Sequence, residues 1–227
     1  MFDPKKLLDD LLGSQVPGGQ GTVRDKAGQA VDLARNNPIA TGAIAAILLG
    51  TGTGRALGGT ALKAGGLAAI AGLAYKAYQN YQSGKPMLDL ASPEVLPAPS
   101  GTGFEPEAAS EATALVFIRA MIAAAAADGE IDADERARIL GGLREAGFDP
   151  EANEWLGKEM ANPASVETLV EGAESPELAA QIYTAARIAI NPDTPRERDF
   201  LAGLAGSLGL DAELVANIDS AAGSAKV

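Results

Sequence analysis

Hydrophobic positions in this chain of 227 residues fall into two unlike patterns on either side of a proline-rich stretch. From Glu107 onward, apolar residues recur at helical spacing, and helix start and stop signals follow one another at short intervals. Leu115, Ile118, Met121 and Ile122 share one face of a helix expected over Glu107–Ala127. Asp132 with Glu135 forms a D-x-x-E capping box that opens a second helix, ending near Glu145 before Gly147. Asp149–Pro150 caps the next helix, which carries Trp155 and Leu156. Asn162–Pro163 and Ser175–Pro176 each place proline at a first helical position, and Thr194–Pro195–Arg196–Glu197 adds a capping box to that device. Asp211 caps the last helix. The pattern predicts an all-α bundle of about seven helices over 107–227, large enough for its own core.

The N-terminal pattern is different. Met1–Leu12 puts Leu7, Leu8, Leu11 and Leu12 on one helical face, suited either to a frayed terminal helix or to docking on a surface. Gly13–Gly21 reads as a flexible linker and Thr22–Asn37 as mixed polar sequence, so 1–37 forms an amphipathic and flexible region. Residues 38–85 are rich in Gly and Ala: Ile39–Gly54, then Arg55, Ala56–Leu62, Lys63 and Ala64–Ala74. Gly42, Ala46, Gly50, Gly54 and Gly58 recur every four positions, the small-residue stripe by which helices approach closely in lipid. Because Gly costs about 1 kcal/mol per helical position in water, the stripe favours packing over a free soluble helix. Ala61, Gly65 and Ala69 continue it as a second, shorter stripe.

The expectation is a membrane-associated segment, either one span continuing through Arg55 or a hairpin, with homo-oligomer contacts along the stripe. Tyr75, Tyr78 and Tyr81 beside Lys76 and Lys85 fit the headgroup level of a bilayer. No secretory signal precedes this, since the apolar stretch begins only at Ile39. Residues 86–106, with Pro86, Pro93, Pro97, Pro99 and Pro106, form an extended linker to the helical domain at 107–227.

Composition removes several chemistries. The chain has no Cys and no His, which excludes thiolate nucleophiles, structural zinc sites and imidazole-based triads. Any metal site must be built from oxygens, which suits Ca²⁺ or a similar divalent cation. Of the net charge of −12, residues 104–227 carry 23 acids against nine basic residues, while residues 1–103 are slightly basic. An acidic body is a poor nucleic-acid binder, whereas basic residues around an apolar segment suit membrane lipid.

Met121–Arg136 (MIAAAAADGEIDADER) joins a helix ending in Ala-Asp-Gly, an apolar residue two places on, and an Asp-x-x-Glu helix start. This resembles the TerB-like family, and Ala185–Leu210 resembles the second half of that fold. With its Gly/Ala-rich N-terminal segment, the whole chain resembles the DUF533 family of TerB-related bacterial inner-membrane proteins. The resemblance implies a bundle with pseudo-two-fold halves, an acidic face taking divalent cations, and a link to membrane stress or metal (tellurite) resistance. It also implies an inner-membrane location, with the bundle expected on the cytoplasmic side. The second half has Asn191–Pro192–Asp193 where the first has Asp128–Gly129, a departure from a strict repeat.

Carried over by position, Asp128, Glu135, Asp193 and Glu197 are the candidate metal ligands. The competing assignment is structural: Glu135 and Glu197 stand at third helical positions, where a carboxylate completes a capping box. An EF-hand loop is excluded by spacing. Catalytic residues and a bound cofactor are not expected, and the protein reads as a membrane-tethered interaction module with protein partners. One alternative is an enzyme using a carboxylate-bound metal. Another is nucleotide binding by the Gly-rich 50–58 loop, whose G-x-G-x-x-x-G spacing departs from the dinucleotide fingerprint.

Overall fold

The computed structural model describes residues 2–12, 66–84, 98–129, 131, 133–145 and 147–224. Among them the α-helices are α1 (Pro4–Leu12), α2 (Gly66–Gln82), α3 (Glu111–Ala125), α4 (Ala133–Glu145), α5 (Pro150–Ala161), α6 (Val166–Glu171), α7 (Pro176–Ala189), α8 (Pro195–Ser207) and α9 (Ala212–Ser224). A 3₁₀ turn covers Pro106–Ala108, and no strand occurs among the described residues. The fold is all-α, and α3–α9 are the seven helices that the caps predict.

Local chemistry sets most boundaries. Ser110 rather than Glu107 starts α3, because its Oγ accepts the Thr113 N–H at 3.0 Å. Gly147 takes a left-handed φ of 87°, and the Phe148 N–H returns to the Leu143 carbonyl at 3.0 Å, which closes α4. Asp149 then caps α5 by accepting the Glu151 and Ala152 amides, with Pro150 in the first turn. At α6 the expected Asn162–Pro163 start is displaced. Asn162 terminates α5 instead, and Ser165 caps α6 by accepting the Thr168 N–H. Pro163 forces extended backbone on the residue before it, so the new helix waits for the next cap.

Helix α7 is the spine. Every residue from Ala179 to Ala189 is buried, and α7 packs against α3, α2, α9 and α8. Five alanines let those neighbours approach closely, while Ile182, Tyr183 and Ile188 fill the gaps between them. Its buried polar groups find partners nearby. Thr184 Oγ1 donates to the Ala180 carbonyl at 2.7 Å, and Gln181 Nε2 donates to the Gly103 and Glu177 carbonyls at 3.2 and 3.3 Å. Arg187 donates to Asp219 and to the Ile190 carbonyl, each at 3.0 Å.

The described parts of the N-terminal region join this core. Helix α2, the C-terminal part of the segment expected to be membrane-associated, buries Gly66–Ala74 and Ala77 and packs against α9, α7 and α1. Helix α1 lays Leu7, Leu8, Leu11 and Leu12 against α3 and α2. These side chains belong to one hydrophobic cluster with those of α3–α9. An apolar, small-residue helix suits a protein interior as well as lipid, so its pattern does not separate the two environments. Among the described residues no helix is long and apolar enough to cross a membrane.

The three tyrosines Tyr75, Tyr78 and Tyr81 form a ring cluster with Phe104. Tyr75 and Tyr78 lie 5.7 and 5.3 Å from Phe104 between centroids, and Tyr81 lies 6.4 Å from Tyr78. Phe104, near the end of the expected linker, is 1% exposed and fixes that end of the linker to α2. Residues 13–65, with the stripe Gly42, Ala46, Gly50, Gly54 and Gly58 and the Gly-rich 50–58 loop, lie outside the described residues.

Candidate functional site

The two acidic turns singled out by sequence do meet in space, through an arginine. After α3 the chain turns through Asp128–Gly129, with the Gly129 N–H donating to the Ala126 carbonyl at 3.2 Å. Arg196, in the first turn of α8, donates Nη1 to the Asp128 carbonyl at 3.0 Å. Arg198 Nη1 donates to the carbonyls of Pro192 and Asp193 at 3.0 and 2.8 Å. Guanidinium groups stay charged at any ordinary pH, so backbone oxygens at both turns are held by the chain's own cations.

The four candidate carboxylates are placed differently from one another. Asp128 is half-buried and Asp193 is exposed. Glu135 lies in the first turn of α4, and its side chain is outside the described residues. Glu197 is 7% exposed, and its Oε2 accepts the Thr194 N–H and hydroxyl at 2.8 and 2.9 Å. The Glu197 N–H donates back to Thr194 Oγ1 at 3.2 Å, which completes the capping box. Glu197 therefore does structural service at the start of α8. Among the described residues no three acidic side chains gather as a metal-holding group. Thr194→Ala is expected to cost about 0.5–2 kcal/mol in urea unfolding, the usual loss on removing a cap.

A groove that sequence reasoning missed lies between α1 and the α4–α5 turn. It encloses about 350 Å³ and is lined by Phe2, Asp3, Lys6, Leu7 and Asp10 on one side and by Gly147–Pro150 and Ala152 on the other. Asp3 caps α1 as Asp149 caps α5: Asp3 Oδ1 accepts the Lys5 and Lys6 amides at 2.9 and 3.1 Å. Lys6 pairs with Asp10 at 2.5 Å along the rim. The signal that would have found this place is the tripeptide Phe-Asp-Pro, present at 2–4 and again at 148–150, both at the groove. Beside it, Phe2 packs on Trp155 with 5.5 Å between centroids. Arg119 stacks over Trp155 at 5.7 Å and holds Glu159 with two bonds of 3.1 and 2.8 Å. On α5, both polar atoms of the buried Asn153 side chain have no hydrogen-bond partner among the described residues.

Fold and sites together define the class: an acidic helical bundle whose N-terminal leucine helix and apolar second helix belong to the same core. The chain belongs to the family described as Protein of unknown function (DUF533), whose model matches residues 35–222. That range takes in the apolar residues from Ile39 onward and nearly all of α2–α9, and it leaves α1 outside. No curated protein and no solved structure matches the chain.

Proposed function

We propose that this DUF533 protein is a membrane-tethered helical module that acts by binding, with the apolar run from Ile39 as its tether. The observation that carries this reading is a contrast. The described helices bury their apolar faces against one another, while Ile39–Leu62 adds a further apolar run with Arg55 as its single charge. Arg35 and Lys63 flank that run and suit anionic lipid. The stripe Gly42, Ala46, Gly50, Gly54 and Gly58 then gives copies of the tether a surface for packing together in lipid. The bundle sits on the cytoplasmic face of a bacterial inner membrane and offers its acidic surface to protein partners. Glu197, Arg187, Gln181 and Thr184, buried in the bundle, are engaged in bonds that hold its helices together. Kinship with TerB-like proteins rests on the likeness of Met121–Arg136 and Ala185–Leu210 to that family, and a role in envelope or metal stress is what that likeness implies.

Fractionation tests the tether. The intact chain should sediment with membranes and resist a carbonate wash. A chain lacking residues 39–62 should move to the supernatant with an unchanged melting temperature. Truncation at Phe104 would be the wrong comparison, because it strips α2 from α7 and α9. An intact chain that stays soluble and monomeric without detergent ends the reading.

A further inference from the structure

The surface beneath α1 is shaped for one kind of helix. Leu7, Leu8, Leu11 and Leu12 pack on α2 and α3, and Phe2 packs on Trp155 of α5. The bare backbone of Gly66 lets α1 come close, since a Cβ there would lie 2.6 Å from the Leu8 carbonyl and 2.9 Å from Leu12 Cβ. The Leu67 N–H donates to Asp9 Oδ1 at 3.3 Å, so a carboxylate of α1 serves the first turn of α2. Shape at Gly66, an aromatic ring at Trp155 and a carboxylate at Leu67 together make a seat that fits this leucine-faced helix.

The seat and its occupant are held differently. Helix α2 also packs against α7 and α9, and α3 against α5, α6, α7 and α8, so both keep partners when α1 leaves. A nine-residue helix does not persist alone in water, so α1 is helical because it is docked. It can be released by local unfolding, at a smaller cost than opening the whole bundle. The family match, residues 35–222, takes in the seat on α2 and α3 and leaves the occupant out.

Every copy of the chain carries one seat and one α1. When two copies trade them, each Leu8 carbonyl again meets a Gly66 and each Phe2 a Trp155, so no contact is lost. We propose that α1 is exchanged between copies: the α1 of one chain seats on α2, α3 and Trp155 of a second. The exchanged pair grows with chain concentration at the expense of the self-seated form. The exchange needs no membrane.

Energy transfer between full-length chains tests it. One copy carries Trp155→Phe, which removes its only tryptophan, and Lys6→Cys labelled with a dansyl maleimide; the chain has no other cysteine. Lys6 is exposed on α1, one turn beyond Phe2, so a seated label stands near the Trp155 of the chain that receives it. The second copy is unlabelled and supplies Trp155 as donor. Mixing is expected to lower Trp155 emission and raise dansyl emission, to an extent that rises with chain concentration. Leu8→Asp in the labelled copy, which leaves the donor copy native, should abolish the transfer, as should Gly66→Val in the donor copy. Absence of transfer on mixing overturns the exchange. So does transfer that survives Leu8→Asp, because the copies then meet by another surface. Dansyl emission that shifts to the blue on phosphatidylglycerol vesicles without transfer between copies assigns the leucine face to lipid and equally overturns it. Amide exchange of the unaltered chain gives a second measurement: residues 4–12 should exchange faster than Ala179–Ala189 of α7. Equal protection would mean that α1 opens only with the whole bundle, and the proposal falls.

Discussion

Replacing Gly66 with valine is expected to unseat α1 and to lower stability by about 2–5 kcal/mol, the range seen when large buried apolar contacts are lost. The first added carbon would already stand 2.6 Å from a backbone oxygen, Leu8 O, which cannot rotate away as a side-chain tip can. Either α1 or α2 must move, and α1 has less to hold it. Once displaced, it exposes Leu7, Leu8, Leu11 and Leu12 and loses its helix. Trp155, the chain's single tryptophan, reports the event because Phe2 leaves its ring. Its emission should change, and amide exchange over 4–12 should rise to that of an unprotected peptide. Gly203 in α8 is the control. Nothing lies within 4 Å of its would-be Cβ, so Gly203→Ala should raise stability by up to about 1 kcal/mol through helix propensity alone. If Gly66→Val keeps protection over 4–12, the interlock of α1 and α2 is not as described.

The second large effect is expected at the polar core of α7 and α9. Arg187 joins Asp219 and the Ile190 carbonyl, and Tyr183 donates its hydroxyl to the same Asp219 Oδ1 at 3.1 Å. Arg187→Met removes both of those arginine bonds from a buried place and should cost about 2–3 kcal/mol in urea unfolding. The loss stays below that of a fully buried ion pair, because the Asp219 side chain is 42% exposed and water takes up its charge. Tyr183 adds a pH dependence. Burial first, and then the Asp219 carboxylate, push its ionisation well above the ordinary value of 10.0. The folded pKa exceeds the unfolded one, so this contribution is whole below the unfolded value and is lost as pH rises beyond it. Stability should fall as pH climbs past 10.0, and Tyr183→Phe should flatten that decline. An equally steep decline in Tyr183→Phe would show that other groups cause it.

How much of this was legible depended on the range of the interaction. Ser175–Pro176, Asp149–Pro150 and Thr194–Glu197 announced their helices because each cap is closed by residues two or three positions away. The same locality marks Glu197 as a capping residue from its spacing to Thr194 alone, and leaves its claim as a ligand resting on family likeness. The meeting of Asp128 with Arg196 was half legible. Two acidic turns could be paired by analogy, but the guanidinium between them joins positions 68 residues apart. The groove at the two Phe-Asp-Pro caps left only its repeated tripeptide in the sequence, since each copy marks a cap and only folding brings the second beside the first.

By itself the sequence determined that the chain is helical, where most of its helices start and stop, and which chemistries it lacks, because those follow from local bonds and from residue identity. Only the tertiary structure decided where its apolar helices go. The leucine face of α1 and the small, apolar face of α2 lower their free energy by leaving water, whether protein or lipid receives them. Their sequences therefore carry the need for a partner without its name. The bare backbone at Gly66, shaped to the Leu8 carbonyl and to Leu12, supplies that name for α1 and α2.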